Sequence, residues 1–168
     1  MANIDEALRA SREAVEQMIE LGEKTGSGWT SARAPGKWSP SQIVEHVAMS
    51  LEESAKVATG QPSKFPTFPA LIRPLVRAVL FRRVLNKAAF PKAKTNPAMD
   101  PVAGPPTPAA GRVRLEAAHA EFDESCRRLA SRGATLKSSI FGAVPVEDYV
   151  RFMEIHTRHH GRQMIDVG

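Results

Sequence analysis

The stretch Trp38-Ser39-Pro40-Ser41-Gln42-Ile43-Val44-Glu45-His46-Val47 decides the fold. Ser39 is placed to cap a helix, and Pro40 suits the first helical position, where its missing N–H costs nothing. Gln42 can return a bond to the cap as the second half of a capping box. Trp38 and Ile43 occupy the two positions of a hydrophobic staple. Onward from the cap, Ile43, Val44, Val47, Ala48, Leu51 and Ala55 recur at helical spacing, which predicts a helix fading near Gly60-Gln61-Pro62. His46 lies beside that apolar stripe, not at its centre.

Three further helices flank this one. Upstream, Asn3 with Glu6 three positions on predicts a start. Ile4, Ala7, Leu8, Ala14, Val15, Met18 and Ile19 then share one face, and Gly22, Gly26 and Gly28 end the run. Downstream, a helix over about Pro108 to Ser131 carries Leu115, Ala118, Phe122, Cys126 and Leu129 on one face, with His119 at its flank. The last helix is expected from about Val146 to Val167. Tyr149, Phe152, Met153, Met164 and Val167 lie on its apolar side and Glu147, Arg151, Glu154, Arg158 and Arg162 on the other, with Glu147–Arg151 and Glu154–Arg158 as favourable pairs.

Between the second and third of these helices the composition changes. Residues 61–112 hold ten of the thirteen prolines and nine Lys/Arg against one Asp, whereas the rest of the chain is slightly acidic, 14 Lys/Arg to 17 Asp/Glu. The net charge of +5 thus belongs to one insert-like stretch, which weakens the case for nucleic acid or membrane as partner of the whole protein. Within it, Leu71 to Leu85 predicts a short basic helix with Leu75, Val76, Val79, Leu80 and Val84 inside and Arg73, Arg77 and Arg83 outside. Pro91 to Pro108 reads as extended loop. A length of 168 residues is enough for one domain with an apolar core. One cysteine excludes a disulfide framework and fits a reducing cytoplasm; on its packed face Cys126 reads as a buried thiol and not a nucleophile. No apolar run is long enough to span a membrane, and the acidic start lacks the pattern of a secretion signal.

The chemistry lies in the last helix. His156 and His160 fall in the middle of its apolar side, His159 at the edge, and Gln163 one turn beyond. A buried imidazole without a hydrogen-bond partner costs about 1–3 kcal/mol, so two on a packing face need compensation. A private hydrogen-bond network with Tyr149 and Gln163 would supply it. So would a metal ion, because histidines four apart bring their rings to one point, as in zinc-binding helices. A third nitrogen must then come from another helix, from His46 or His119, and spacing alone leaves both that choice and the network open. Thr157 follows His156, so a His-Glu-x-x-His protease is unsupported.

Two motifs resemble one family. The Trp-Ser-Pro-Ser-Gln-Ile-Val-Glu-His-Val stretch is similar to the first signature of the DinB/YfiT-like four-helix metalloprotein superfamily. Phe141-Gly142 followed by His156-Thr157-Arg158-His159-His160-Gly161-Arg162-Gln163 is similar to its second. The Pro-rich basic middle resembles a longer-insert subgroup of uncharacterised members. The resemblance implies an all-α four-helix bundle over residues 1–168 as one domain, up-up-down-down, with residues 61–112 as a long crossover holding the extra short helix and Pro-rich loop. It implies a three-histidine site for a divalent metal (zinc, nickel, iron or manganese), with His46, His156 and His160 matching the ligands and a water in the open position. His159 and Gln163 then orient ligands or meet substrate.

Relatives in that family include thiol-dependent S-transferases and others labelled metal-dependent hydrolases. The resemblance therefore implies a metal-dependent enzyme acting on a small-molecule substrate, with a low-molecular-weight thiol as possible co-substrate and no general base assigned. Glu45, Glu52 and Glu53 lie near His46 but read first as solvated-face residues. A non-catalytic metal-binding bundle in stress response or homodimer assembly is the second reading. A surface-binding protein using the basic segment 71–87 is the third, with membrane and nucleic acid both disfavoured by the confinement of the charge.

Overall fold

The computed structural model describes residues 3–91 and 94–165. Its four long helices are α1 (Ile4–Glu23), α2 (Pro40–Ala58), α5 (Pro108–Ser131) and α6 (Val146–Gln163). The second begins as its sequence requires. Ser39 is extended, its side chain accepts from the Gln42 N–H, and the Gln42 side chain accepts from the Ser39 N–H at 3.0 Å, closing a capping box over Pro40. Thr107 caps α5 by accepting from the Ala110 N–H, and Asn3 caps α1 by accepting from the Asp5 N–H, with Glu6 exposed and outside the cap. The apolar stripes meet in one core that includes Leu8, Val15, Met18, Val47, Leu51, Leu115, Phe122, Val150 and Met164. Val167 lies outside the described residues, and α6 ends at Gln163.

The all-α bundle with a long crossover stands, but the helix directions differ from the up-up-down-down expectation. Arg112 at the start of α5 pairs with Glu23 at the end of α1, and Arg127 with Asp5, so these two run antiparallel. Val44 lies beside Gly111, and Val57 and Ala58 share a cavity wall with Ser125 and Leu129, so α2 and α5 run parallel. Arg158 bonds Gln17 and Gly161 faces Leu21, so α1 and α6 are parallel too. The order is up, down, down, up. The cause is Trp29, in the turn that opens with a 3-10 helix at Gly26–Gly28. Its ring packs on Gly22 and Gly111, and its carbonyl accepts from the Ser41 N–H, which holds the end of α1, the start of α2 and the start of α5 together. Gly22, expected to stop α1, is inside it: the missing side chain makes room for the indole.

Parallel neighbours require the chain to return along the bundle between them, and residues 59–107 do so. Their described residues carry α3 (Arg73–Val76), a π turn at Arg77–Phe81, α4 (Arg82–Lys87) and a 3-10 turn at Pro97–Met99 inside otherwise irregular backbone. This crossover is fastened at intervals by polar groups of the bundle. The Glu53 carboxylate accepts from the Lys64 N–H, Arg77 donates to the Ala143 carbonyl, and Gln42 donates to the Pro101 carbonyl. The Pro105 carbonyl accepts from both Trp29 Nε1–H and Ser41 Oγ–H at 2.7 Å. The π turn adds a residue to one helical turn and so rotates the face that follows it. Phe81 and Val84 are buried, whereas Leu75 and Val79, expected inside, are 64% and 59% exposed.

A short hairpin, β1 (Leu136–Ser138) with β2 (Gly142–Val144), precedes α6 and was not expected from the sequence. It gives the Phe141-Gly142 pair its role. Gly142 takes a φ of 76°, which favours glycine, while Phe141 packs against Phe81 and Phe152.

Gly104 is the tightest seam of the crossover, because a Cβ there would lie 2.1 Å from the Ser41 carbonyl oxygen. Gly104→Ala is therefore expected to destabilise by about 1–3 kcal/mol. The check is a thermal melt beside Gly28→Ala, where a Cβ meets nothing and no loss is expected.

Candidate metal centre

Antiparallel packing of α2 and α6 brings the early turns of one against the last turns of the other. His46, on the second turn of α2, thus meets His156 and His160 of α6. One ring nitrogen from each lies within 4.8 Å of the other two. His119 is elsewhere, buried against α1 with its Nε2 3.2 Å from Ser11 Oγ. The choice left open by spacing falls to His46.

Each ring is oriented by a specific partner. His46 Nδ1–H donates to the Met99 carbonyl at 2.8 Å, and His160 Nδ1–H donates to Gln163 Oε1 at 2.8 Å. These bonds fix the tautomers and leave Nε2 as the unprotonated nitrogen of both rings, with His160 Nε2 at 3.2 Å from His156 Nε2. The Gln163 amide also donates from Nε2 to His159 Nε2 at 3.2 Å, so one side chain orders two imidazoles. His159 stays at the edge, half-buried, and is not one of the three. The network imagined with Tyr149 does not form: its hydroxyl lies 3.1 Å from Ser54 Oγ instead.

Two aromatic rings bracket the cluster. Trp38, expected only to staple the helix start, tilts over His46 at 4.8 Å between centroids and reaches His160 at 6.1 Å. Phe90 meets His156 edge-on at 5.3 Å and His159 at 5.9 Å. The indole N–H of Trp38 donates to Asp100 Oδ1 at 3.0 Å, placing that carboxylate near His46. Sequence reasoning missed Phe90, Met99 and Asp100. They come from the crossover, where no periodicity singles them out, and Met99 acts through a carbonyl that any residue would offer.

The three imidazoles are neutral at physiological pH. Burial pushes all three below the ordinary histidine value, His160 down to about 3, and the neighbouring imidazoles push His156 and His160 further. At His46 the Met99 carbonyl and the Asp100 charge oppose the effect of burial. Neutral imidazole is the form that binds a metal.

These residues fit a divalent metal. Four-coordinate metal–nitrogen bonds of 2.0–2.1 Å place ligand nitrogens about 3.3 Å apart, and the Nε2 atoms of His156 and His160 are 3.2 Å apart. Hydrogen bonding alone compensates the cluster poorly. His156 Nδ1 is buried with no partner, whichever ring nitrogen carries the proton. The three carboxylates of α2 nearest His46 are occupied elsewhere: Arg114 spans Glu45 and Glu52, while Glu53 is buried against Lys56 and the Lys64 N–H. Cys126 is buried and its thiol is pushed up to about 12 by burial, so it stays protonated. Two cavities of about 380 and 390 Å³ open at the far end of α2, around Val57, Gly60 and Lys137, away from the histidines.

Among known proteins, the family model described as the DinB superfamily matches residues 3–164. No curated protein and no solved structure matches the chain.

The depressed histidine pKa values set an acid dependence. Below the ordinary value of 6.5 the unfolded chain takes up protons that the folded imidazoles refuse, so stability falls with pH from there toward about 3 and is flat above. The thermal midpoint of chelator-treated protein is expected to drop between pH 7 and pH 5. His156→Leu, which removes the partnerless Nδ1, should make that slope shallower without lowering the midpoint at pH 7.

Proposed function

The chain belongs to the DinB superfamily, and from that premise we propose that His46, His156 and His160 hold one divalent metal through their Nε2 atoms and that the protein is a metal-dependent enzyme. The chemistry is thiol-dependent S-transfer or hydrolysis of a small molecule. The observation that carries the reading is the convergence of three neutral ring nitrogens within 4.8 Å, with the opposite nitrogens of two rings committed to fixed acceptors. Three imidazoles leave a four-coordinate zinc, nickel, iron or manganese ion one position for a water, a thiol or a substrate oxygen, which it would acidify or polarise.

The chain's own groups support that chemistry in identifiable ways. Trp38 and Phe90 shield the cluster on two sides and offer apolar faces to a substrate. Gln163 holds His160 and His159 in one alignment. His159 is half-buried and held neutral by burial and by Arg162, which suits it to contact substrate beside the three ligands. The Asp100 carboxylate, held by the Trp38 indole, lies near enough to His46 to oppose the effect of burial on that ring.

The burial of His46 and His160 favours a second reading, a non-catalytic metal that ties α2 to α6.

Protein purified without a His-tag is expected to carry about one equivalent of divalent metal by elemental analysis. His160→Ala should abolish it; retention of full metal by that variant would overturn the three-histidine assignment. Turnover of electrophiles with glutathione, bacillithiol or mycothiol, or of an ester and amide panel, should disappear on chelation and return with metal. A metal-loaded protein inactive throughout would leave the non-catalytic reading. Gln163→Leu is expected to weaken metal affinity by about 10- to 100-fold, since it frees His160 to rotate, and circular dichroism should show the helices intact.

A further inference from the structure

The outer face of the crossover helix presents apolar side chains to solvent, among them Leu75 and Val79, which the sequence pattern places inside. Leu71, Leu75 and Val79 recur every four residues and are 94%, 64% and 59% exposed, and Ile72 beside them is 41% exposed. The inner face is committed. Arg73 Nε–H donates to the Phe68 carbonyl at 2.7 Å, Arg77 donates to the Ala143 carbonyl, and Phe81 and Val84 enter the core. The helix cannot roll to hide its stripe without breaking these bonds. One turn beyond Val79 the same outer face becomes basic, with Arg82, Arg83 and Lys87 exposed. Arg82 lies near Asp148, whose carboxyl it helps to hold charged against burial; Arg83 and Lys87 continue past it.

We propose that this face docks on an anionic lipid surface, with Leu71, Ile72, Leu75 and Val79 inserted among the acyl chains and Arg83 and Lys87 against the headgroup phosphates. An interfacial helix needs an apolar stripe flanked by cations, and each cation near an anionic membrane strengthens binding about fivefold. The charge of the surrounding segment points the same way. Residues 54–99 contain nine Lys/Arg and no Asp or Glu, so the patch sits in a positive field that an acidic surface complements. That field opposes a second copy of the chain as occupant, because a two-fold interface would lay this patch on itself, cation against cation. Nucleic acid would use the cations but leave the apolar stripe unburied. The helix is too short to cross a bilayer, and no described helix is long and apolar enough to do so. The attachment is therefore peripheral and reversible.

The test is co-sedimentation of the full chain with vesicles of phosphatidylcholine alone or with one-third phosphatidylserine, at low and high salt. Binding is expected to the anionic vesicles, weaker at high salt and absent with phosphatidylcholine alone. Leu75→Glu with Val79→Glu should cut it tenfold or more, and Arg83→Gln with Lys87→Gln at least fivefold. All four positions are exposed and none belongs to the histidine cluster or its bonded partners, so metal content and melting temperature should not change in either variant. No binding to anionic vesicles at low salt, or binding indifferent to the Glu substitutions, overturns the proposal. A dimer in sedimentation analysis that the Glu variant dissociates would assign the face to self-association, and a duplex DNA shift without vesicle binding would assign it to nucleic acid; each also overturns it.

Discussion

Three imidazoles brought to one point, two buried and one partly so, impose a condition that the rest of the molecule meets for two of them: each ring must be neutral and aimed, and its second nitrogen needs somewhere to donate. Water cannot serve, because burial is what keeps the rings neutral. Acceptors must come from the protein, within hydrogen-bond reach, on the side of each ring facing away from the cluster. Gln163 does this for His160 from the next turn of the same helix, a local solution. No such local solution serves His46, whose Nδ1–H goes to the carbonyl of a residue 53 positions away in the chain. His156 has none on Nδ1 at all, so this site trades away some stability for ring placement.

The long crossover is what makes the His46 bond possible. It threads over the start of α2, where successive residues of one motif hold it: Ser41 and Gln42 bond the Pro105 and Pro101 carbonyls, and Trp38 bonds Asp100. Gln42 does this while its Oε1 closes the helix cap, so one side chain both starts α2 and positions the strap beside the site. The same strap brings Phe90 against His156 from the other side. A segment with the composition of a linker is thus one wall of the cluster.

What could be read from the sequence divides along the same line. The helices declared themselves through apolar periodicity and caps, and α5 begins and ends where expected, because those signals are local and repeat every turn. The histidine spacing on α6 named two of the rings that meet, and the family resemblance of the α2 start motif, not any spacing, named His46 as the third. Three features stayed hidden for physical reasons. Helix direction depends on which ends a single ring, Trp29, gathers, and the glycines that admit it look like helix stops. Backbone acceptors such as the Met99 carbonyl have no residue signature. A π turn leaves the amino-acid pattern unchanged while shifting the helical phase across it, so the stripe of Leu75 and Val79 does not share a face with Phe81 and Val84, and the first pair is surface while the second is core.

The charge distribution takes on a different meaning once the crossover is seen as a strap. A basic, proline-rich stretch inserted between two helices invites dismissal as a solvated loop, and its +8 appears incidental to an acidic bundle. Yet the prolines limit the entropy lost in holding an irregular path against the bundle, and the one acid of the stretch, Asp100, is bonded by the Trp38 indole beside the histidines. Arg73 and Arg77 turn their charge inward, onto the Phe68 and Ala143 carbonyls, while Arg82, Arg83 and Lys87 beyond the π turn are exposed. The inner edge of the strap completes the histidine cluster while its outer edge carries the largest run of exposed apolar side chains among the described residues. Both edges follow from one geometric requirement, that the chain return along the bundle before α5 can begin beside α2.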